Sequence, residues 1–280
     1  VKLNDDNQSI NGFETITYTN NSPDNLNYLW VQLDQNVRAK DSDSYKIYTG
    51  GMRKKLDFSW IKPGYVIGDK DANEILNKFD GGFKIEEVVS IDGRKLQYVI
   101  NKTMMRIDLD KPLKSGSKTS ISIRWNYNIQ DRIYMGGRPG YEFFRSDSNY
   151  LYTICQWFPR MAKYNDVYGW QNKQFLGRGE FTLDFGDYDV RITVPADHIV
   201  AATGELQNSM EVLTKTQVDR MKQAKSSNEP VIIVTQYEAE KNEKSRSKKV
   251  KTWRYKAKNV RDFAFTSSRK FIWDAMGVKF

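Results

Sequence analysis

The chain has 280 residues, of which 39% are hydrophobic and 28% charged, a composition typical of a globular protein. Its only cysteine is Cys155 and its only histidine is His198, which excludes an internal disulfide, an iron–sulfur cluster and a zinc site built on a histidine pair. The net charge is +9, but nine basic residues and a single acid lie between residues 241 and 258, so the excess is one local run. No stretch approaches the roughly 18 to 20 apolar residues of a membrane helix.

Alternation of apolar and polar residues predicts β-strands along the first half of the chain. The turn sequences Asp92-Gly93 and Ser115-Gly116 each separate two such segments and predict hairpin loops. The predicted strands place on their apolar faces Leu29, Val31 and Leu33; Leu96, Tyr98 and Ile100; and Ile121, Ile123, Trp125 and Tyr127.

The second half of the chain continues the pattern. Phe181, Leu183 and Phe185 alternate with polar residues, as do Val190, Ile192 and Val194. The continuous apolar run at residues 231–234 predicts a strand buried on both faces. Helical spacing is limited to residues 71–79 and 210–225.

These signals predict a mainly β fold. A dozen or so short strands at regular spacing are typical of a large antiparallel β-sandwich or a saddle-shaped, curved sheet, here with one or two short helices. No repeat, linker or break in composition divides the chain, so we expect a single domain over residues 1–280.

The basic run at residues 241–258 has two interpretations. Runs of like charge are usually solvated, which predicts a charged loop at residues 241–249 leading into a half-exposed strand. The alternative is a polyanion-binding surface. The rows of aromatic residues with which single-strand binders stack on bases are not evident here, so we expect no nucleic-acid partner.

The most unusual segment lies in the middle of the chain. CQWFPRMA occupies residues 155–162, YND follows at 164–166, and GW at 169–170. This segment resembles the N-terminal domain of the aminopeptidase N family, the zinc aminopeptidases that include the leukotriene hydrolases, in a form typical of bacteria. Supporting similarities are the strands at residues 188–195, the ATGEL run at 202–206, and the TWRY and VRDFAF runs at 252–255 and 260–265. Where family members often have a proline soon after the aspartate, this chain has Val-Tyr-Gly after Asp166.

The resemblance implies a role for one residue. In the family this β-domain packs on the catalytic domain, and a Gln or Glu on it helps to bind the free α-amine of the substrate. Gln156 is the matching position here. The alternative is that Gln156 only satisfies a buried backbone group.

The resemblance also implies that the chemistry lies outside this chain. The family's zinc site requires H-E-x-x-H with a downstream glutamate, and its exopeptidase motif is Gly-x-Met-Glu-Asn; neither occurs here. We therefore expect no catalytic residue, no metal ligand and no cofactor in this chain, with zinc bound by the full-length parent enzyme. The expected partners are the protein's own catalytic domain and the N-terminus of a peptide substrate.

Two further residues invite a functional interpretation that the sequence does not favour. Cys155 lacks a histidine partner in any motif, so a small buried side chain is expected. His198 follows a strand in a predicted turn, where a structural or surface role is expected.

Three functions follow. The first is a non-catalytic domain of a zinc metallo-aminopeptidase that scaffolds the catalytic domain and forms one wall of the substrate cleft. The second is a stand-alone β-sandwich that binds peptide or carbohydrate, and the third is the polyanion-binding protein.

The chain begins at Val1 without a leader and stops after an apolar run, so we expect a fragment or a processed form. A periplasmic or exported location is favoured over the cytoplasm. A bare apolar surface is expected around Trp157, Phe158 and Tyr164 and along residues 271–280, where the missing domain would pack.

Overall fold

The computed structural model describes residues 1–44, 79–177, 179 and 181–278. It is mainly β, with 45% of residues in strands and 14% in helices, and it contains several sheets. The predicted fold class is therefore confirmed. Among the described residues, no helix combines the length and the apolar character that crossing a membrane requires.

The largest sheet, sheet A, has seven strands in the spatial order β15-β17-β13-β1-β2-β7-β4. Its centre is unusual because the short β1 lies between two long strands, antiparallel to β2 and parallel to β13. The strands of sheet A are β1 (Lys2–Asn4), β2 (Ser9–Thr19), β4 (Lys84–Ser90), β7 (Lys118–Asn128), β13 (Gly186–Pro195), β15 (Glu205–Leu206) and β17 (Val250–Val260).

Two four-stranded sheets complete the main architecture. Sheet B has the order β10-β3-β6-β5 and sheet C the order β14-β18-β9-β8, and both are antiparallel. Sheet B consists of β3 (Leu26–Gln32), β5 (Tyr98–Asn101), β6 (Met104–Leu113) and β10 (Arg160–Met161). Sheet C consists of β8 (Gly140–Phe144), β9 (Asn149–Ile154), β14 (Ile199–Ala202) and β18 (Phe265–Ser268).

Short elements connect these sheets. Two-stranded ladders join β11 (Tyr164–Asn165) to β12 (Gly169–Trp170) and β16 (Val231–Val234) to β19 (Trp273–Ala275). A 3₁₀ helix covers Asp34–Arg38. The α-helices of the described residues are α1 (Arg132–Met135), α2 (Ser209–Val212), α3 (Lys215–Ser226) and α4 (Gln236–Glu243).

The core is one continuous cluster to which all three sheets contribute. Trp125 of sheet A packs within it, and its ring centroid lies 5.4 Å from that of Phe83 and 5.9 Å from that of Trp157. Trp157 in turn packs edge-on against Phe265 of sheet C. Offset and edge-to-face ring pairs of this kind add to the free energy of burial.

The predicted faces are confirmed for β7 and β13, whereas on β5 the predicted inward residue Ile100 is 41% exposed. Ile121, Ile123 and Ile192 are buried, and Val190 is half-buried. The prediction for residues 181–185 is wrong, because these residues form no strand and Phe185 is largely exposed. The apolar–polar alternation of these five residues is not accompanied by hydrogen bonding to a neighbouring strand.

Two other predictions need correction, and one falls outside the description. The run 231–234 pairs only with β19 in a two-stranded ladder, so Ile232 is exposed rather than buried on both faces. The loop at Ser115-Gly116, predicted as a hairpin, instead joins β6 of sheet B to β7 of sheet A, with Gly116 in the left-handed region. The helix predicted for residues 71–79 lies outside the described residues except for Phe79.

Candidate functional site around Gln156

Gln156 lies just beyond the end of a central strand. Strand β9 pairs with β18 on one side and β8 on the other, and it ends at Ile154. Cys155 and Gln156 then leave the ladder. The end of a well-paired strand is a rigid support for a side chain that must contact a ligand.

The backbone of Gln156 is left-handed, with a φ of +53°. For a residue other than glycine this conformation costs roughly 1 to 2 kcal/mol, so the surroundings must hold it. Gln35 does so: its Nε2 donates to the Gln156 carbonyl oxygen at 2.8 Å. The Gln156 side chain itself is half-buried and makes no hydrogen bond within the described part of the chain.

A network of amides and one guanidinium surrounds Gln156. Arg38 Nη1 donates to Gln35 Oε1 at 3.2 Å, and Arg38 Nε donates to Gln130 Oε1. Gln130 Nε2 donates to the carbonyls of Gly136 and Pro139, at 2.9 and 2.6 Å. The loop at residues 136–140 is therefore tied to the backbone of Gln156 through side chains that are themselves held in place.

A buried ion pair lies beneath this network. The Arg160 guanidinium contacts Asp34 at 2.8 Å and Asp262 at 2.7 Å, and both Arg160 and Asp34 are buried. Burial raises the pKa of Asp34, and the charge of Arg160 offsets this only in part. The pair links the 3₁₀ helix, β10 and the loop at residue 262 into one rigid base.

Cys155 and His198 do not form a nucleophilic site. Burial raises the pKa of the Cys155 thiol, which is the opposite of an activated nucleophile. Cys155 is half-buried, whereas the sequence predicted a small buried side chain. His198 is fully buried, and its Nδ1 lies 2.9 Å from Ser267 Oγ.

The described part of the chain offers no set of side chains that fits a zinc ion. The described residues contain no group of three or more His, Cys, Asp and Glu side chains arranged to hold a metal ion. The single histidine of the sequence is engaged in the core. No step of a metal-dependent reaction is assigned to this chain.

The bare apolar surface predicted around Trp157 and Phe158 is not found, whereas apolar side chains along residues 271–278 are exposed as predicted. Trp157 and Phe158 are buried, and the Trp157 indole donates to the Phe263 carbonyl at 2.8 Å. They face inward because Trp157 packs between Trp125 and Phe265 in the core. Along the C-terminal segment, Ile272 and Val278 are 56% and 59% exposed.

The sequence predicted a role for Gln156 through its motif, and that role stays a prediction; it gave no sign of Gln35, Arg38 and Gln130. Gln35 contacts Gln156 across 121 positions of sequence, and Arg38 contacts Gln130 across 92. No periodicity or spacing relates residues so far apart. The pairing of β3 with β10 brings the segments of Gln35 and Gln156 together.

No family model matches the sequence, and no curated protein matches it. Among solved structures, it is similar to a two-domain M1 zinc metallopeptidase mutant bound to L-tryptophan, at 10% identity with a TM-score of 0.43. A two-domain M1 zinc metallopeptidase mutant bound to L-arginine is 11% identical with a TM-score of 0.44. An M1 zinc metallopeptidase from Deinococcus radiodurans is 11% identical with a TM-score of 0.42. In all three the match covers 95% of this chain but only 39% of the other. A likeness of this size does not establish a shared function.

Proposed function

We propose that this chain is a non-catalytic β-domain of a zinc metallo-aminopeptidase, in which Gln156 forms part of one wall of the substrate cleft. The observation that carries the proposal is the state of Gln156. Its backbone is held in a costly conformation by Gln35, while its own carboxamide makes no hydrogen bond within the described residues. The motif at residues 155–170 supplies the independent sequence support.

Comparison with nearby glutamines argues against a purely structural role. Gln35 and Gln130 are buried, and their amides donate to backbone carbonyls. Gln156 lies among them, but its side chain is half-exposed and forms no such bond. A carboxamide oxygen in this position can accept a charge-assisted hydrogen bond from a protonated α-amine.

In such an enzyme the metal and the general base belong to the catalytic domain. Zinc bound there would polarise the scissile carbonyl and activate water. The part of this chain is to orient the substrate's amino terminus and to provide a rigid wall. The ion pairs of Arg160 with Asp34 and Asp262 stabilise the segments that form that wall.

The test uses the protein expressed from its complete reading frame. Gln156→Gly removes the carboxamide and relieves the left-handed strain, so the melting temperature should not fall. Loss of a charge-assisted bond should lower aminopeptidase kcat/KM by roughly ten- to a hundredfold, equivalent to about 1.5 to 3 kcal/mol. Gln156→Glu should retain activity, since a carboxylate also accepts from the amine.

The matched control is Gln236→Ala, which truncates an exposed glutamine of α4 whose amide bonds only to Glu240, at 2.8 Å. It should leave kcat/KM unchanged. Unchanged kinetics in Gln156→Gly would remove the substrate role, and a wild-type protein without aminopeptidase activity would overturn the proposed function as a whole.

The alternative of a stand-alone carbohydrate- or peptide-binding sandwich depends on exposed aromatic rings. No described tryptophan is exposed: Trp125, Trp157, Trp170 and Trp253 are buried, and Trp30 and Trp273 are half-buried. The exposed rings are tyrosines and phenylalanines, with Tyr168, Tyr237 and Phe185 exposed by 74%, 76% and 63%, and no ring contact joins any two of these three.

A further inference from the structure

The carbonyl oxygens of Cys155 and Gln156 converge on one side chain. Gln35 Nε2 donates to the Gln156 carbonyl at 2.8 Å and to the Cys155 carbonyl at 3.4 Å. A carboxamide nitrogen carries two hydrogens, so one glutamine can serve both acceptors. Gln35 is 3% exposed, and the two bonds span 121 and 120 positions of sequence. This is a buried tertiary contact and not a local turn.

The convergence of the two carbonyls depends on the backbone of Gln156. The φ and ψ angles of a residue set the direction of its own carbonyl relative to the preceding one. In an extended strand successive carbonyls point to opposite sides, as in β9, which pairs with β8 on one side and β18 on the other. An extended Gln156 would therefore turn one of the two carbonyls away from Gln35. The left-handed φ of +53° keeps both within reach.

The orientation of the Gln35 amide is itself fixed. Its Oε1 accepts from Arg38 Nη1 at 3.2 Å, and a guanidinium only donates. Arg38 Nε donates in turn to Gln130 Oε1. Gln130 Nε2 donates to the carbonyls of Gly136 and Pro139. Because backbone carbonyls only accept, reversing either amide would break hydrogen bonds at both of its ends.

Left-handed backbone at several other residues has a local cause. Gln8, Lys102 and Ser148 also have positive φ, and each lies in the turn between two paired strands, β1–β2, β5–β6 and β8–β9. Tight hairpin turns often require such a conformation. Gln156 is in no hairpin, since the next strand after β9 is β10 of sheet B. Its conformation needs a contact from elsewhere, and Gln35 provides one.

We propose that Gln35 is a positioning residue for the α-amine of the substrate: by bonding both carbonyls it keeps Gln156 left-handed and so orients the Gln156 carboxamide. This inference rests on the proposed function, in which Gln156 binds the amine. Gln35 is buried and acts only through Gln156. A change from left-handed to extended backbone would redirect the Cα–Cβ bond of Gln156 and move its carboxamide out of position.

The strain at Gln156 sets the size of the effect. Left-handed backbone at a residue other than glycine costs roughly 1 to 2 kcal/mol, which corresponds to a population ratio of roughly five- to thirtyfold against the unsupported conformer. The apparent affinity of a site falls in proportion to the population of its competent conformer. Loss of the Gln35 bonds should therefore lower aminopeptidase kcat/KM by roughly five- to thirtyfold.

Two variants of Gln35 remove the donor with little change in length. Gln35→Glu keeps an oxygen for Arg38 but presents an acceptor to both carbonyls, and Gln35→Met removes both polar atoms without adding charge. The matched control is Gln217→Glu in α3. Gln217 is 6% exposed, its Oε1 accepts from Thr214 N at 3.0 Å, and its Nε2 donates to Glu238 at 3.3 Å. The control therefore loses a buried amide donor in another part of the molecule.

The backbone of Gln156 is measured by NMR on the 280-residue chain. A positive φ brings the amide and α protons of one residue close together, so the intraresidue NOE of Gln156 should be strong in the wild type and in Gln217→Glu. It should weaken in Gln35→Glu and in Gln35→Met, and the methionine variant decides if the glutamate variant does not fold. A weak NOE in the wild type, or a strong one in either folded Gln35 variant, would overturn the proposal.

A double-mutant cycle on the protein expressed from its complete reading frame tests the link to substrate. Gln35→Met should lower kcat/KM by roughly five- to thirtyfold when Gln156 is present, but by no more than about twofold in the Gln156→Gly background, where no carboxamide remains to be oriented. Gln217→Glu should leave kcat/KM unchanged in both backgrounds. An equal loss from Gln35→Met in both backgrounds would show a purely structural role and would overturn the proposal.

The same cycle separates this inference from the proposed function. Unchanged kcat/KM in Gln156→Gly alone would remove the substrate role of Gln156, and with it the role of Gln35 toward the amine. The NMR comparison would still decide whether Gln35 fixes the backbone of Gln156. A reduced kcat/KM in Gln156→Gly with no effect of Gln35→Met would instead leave the proposed function intact and overturn only the positioning role.

Discussion

At the scale of single residues, His198 shows how burial decides the role of a reactive side chain. It lies with Ser267 and Asp5, with its Nε2 3.8 Å from Asp5 Oδ2, so the three residue types of a hydrolase triad meet. His198 and Ser267 are fully buried, however, and no substrate can reach them. Arg269 and Tyr152 complete the cluster by donating to Asp5 at 2.6 and 2.7 Å.

The cluster predicts a dependence of stability on pH. Burial lowers the pKa of His198, and the nearby Asp5 offsets this only in part. Below pH 6.5, the ordinary value, the unfolded chain binds a proton that the folded chain does not. The free energy of unfolding should therefore fall as the pH drops from about 6.5 to 5, by up to about 1.4 kcal/mol per pH unit.

Urea unfolding between pH 5 and 8 measures this effect in the wild type and in His198→Asn. The carboxyl groups whose pKa values burial raises, Glu14, Asp34 and Asp131, titrate with the opposite sign, but they are present in both proteins. The difference between the two curves isolates the histidine. Parallel curves would show that His198 does not have a lowered pKa.

At Gln156 the sequence supplied a motif, and the substrate-binding role inferred from it stays a prediction. Gln156 stands in a distinctive run of aromatic residues, so its place beyond a strand was foreseeable. Its left-handed backbone was not, because that conformation depends on a bond from Gln35. The burial of His198 likewise depends on Asp5 and Ser267, which no spacing connects to it.

At the scale of elements, the helix predicted for residues 210–225 is interrupted. The structure has α2 over Ser209–Val212 and α3 over Lys215–Ser226. Between them Thr214 has extended backbone and forms a capping box with Gln217, in which each side chain bonds the other's backbone N–H. A threonine followed three residues later by glutamine is the sequence signal of a helix start, and it lay inside the predicted helix.

The capping box gives a direct test of α3. Thr214→Ala removes the acceptor for the Gln217 N–H and should lower the free energy of unfolding by roughly 0.5 to 2 kcal/mol. Thr214→Ser keeps the hydroxyl and should lose much less. Urea denaturation of the two variants makes the comparison, and an equal loss in both would mean that the methyl group, not the cap, stabilises the helix.

Strand errors had a different cause. Neither the period-two alternation of residues 181–185 nor the continuous apolar run of residues 231–234 identifies the strand that would pair with the segment. The first stretch has no ladder, and the second pairs only with β19. Where both neighbours exist, as for β7 between β2 and β4, the predicted face is correct.

At the scale of the whole molecule, the sandwich was predictable because many short alternating segments have few other ways to bury their apolar faces. The order of strands was not. Strand β1 occupies the centre of sheet A although it has three residues, and its pairing with β13 joins segments far apart in sequence. Such pairings are set by tertiary packing rather than by any local pattern.

Several side chains of the basic run at residues 241–258 bind other parts of the molecule. Arg254 pairs with Asp189 at 2.6 Å, and Lys251 Nζ donates to the Val212 carbonyl at 3.0 Å. Arg246 donates to the Asn149 side chain at 2.6 Å. The loop that the sequence predicted at residues 241–249 begins as the end of α4, and the following strand β17 is half-exposed as predicted.

The last prediction concerns metal and activity in the 280-residue chain. A catalytic zinc site needs three protein ligands with an open fourth position. The sequence offers a single histidine, which is fully buried against Ser267, and a single cysteine whose thiol pKa is raised by burial. We expect the purified chain to retain less than one zinc per ten molecules after dialysis and to hydrolyse no aminoacyl nitroanilide. Elemental analysis and a chelator-controlled assay measure both quantities.

His198→Asn is the control: it should change neither the zinc content nor the hydrolysis, because a buried core histidine contributes nothing to metal binding. Stoichiometric zinc together with chelator-sensitive hydrolysis would show that the chain builds a metal site from carboxylates alone. The proposal that this chain is a non-catalytic domain would then be wrong.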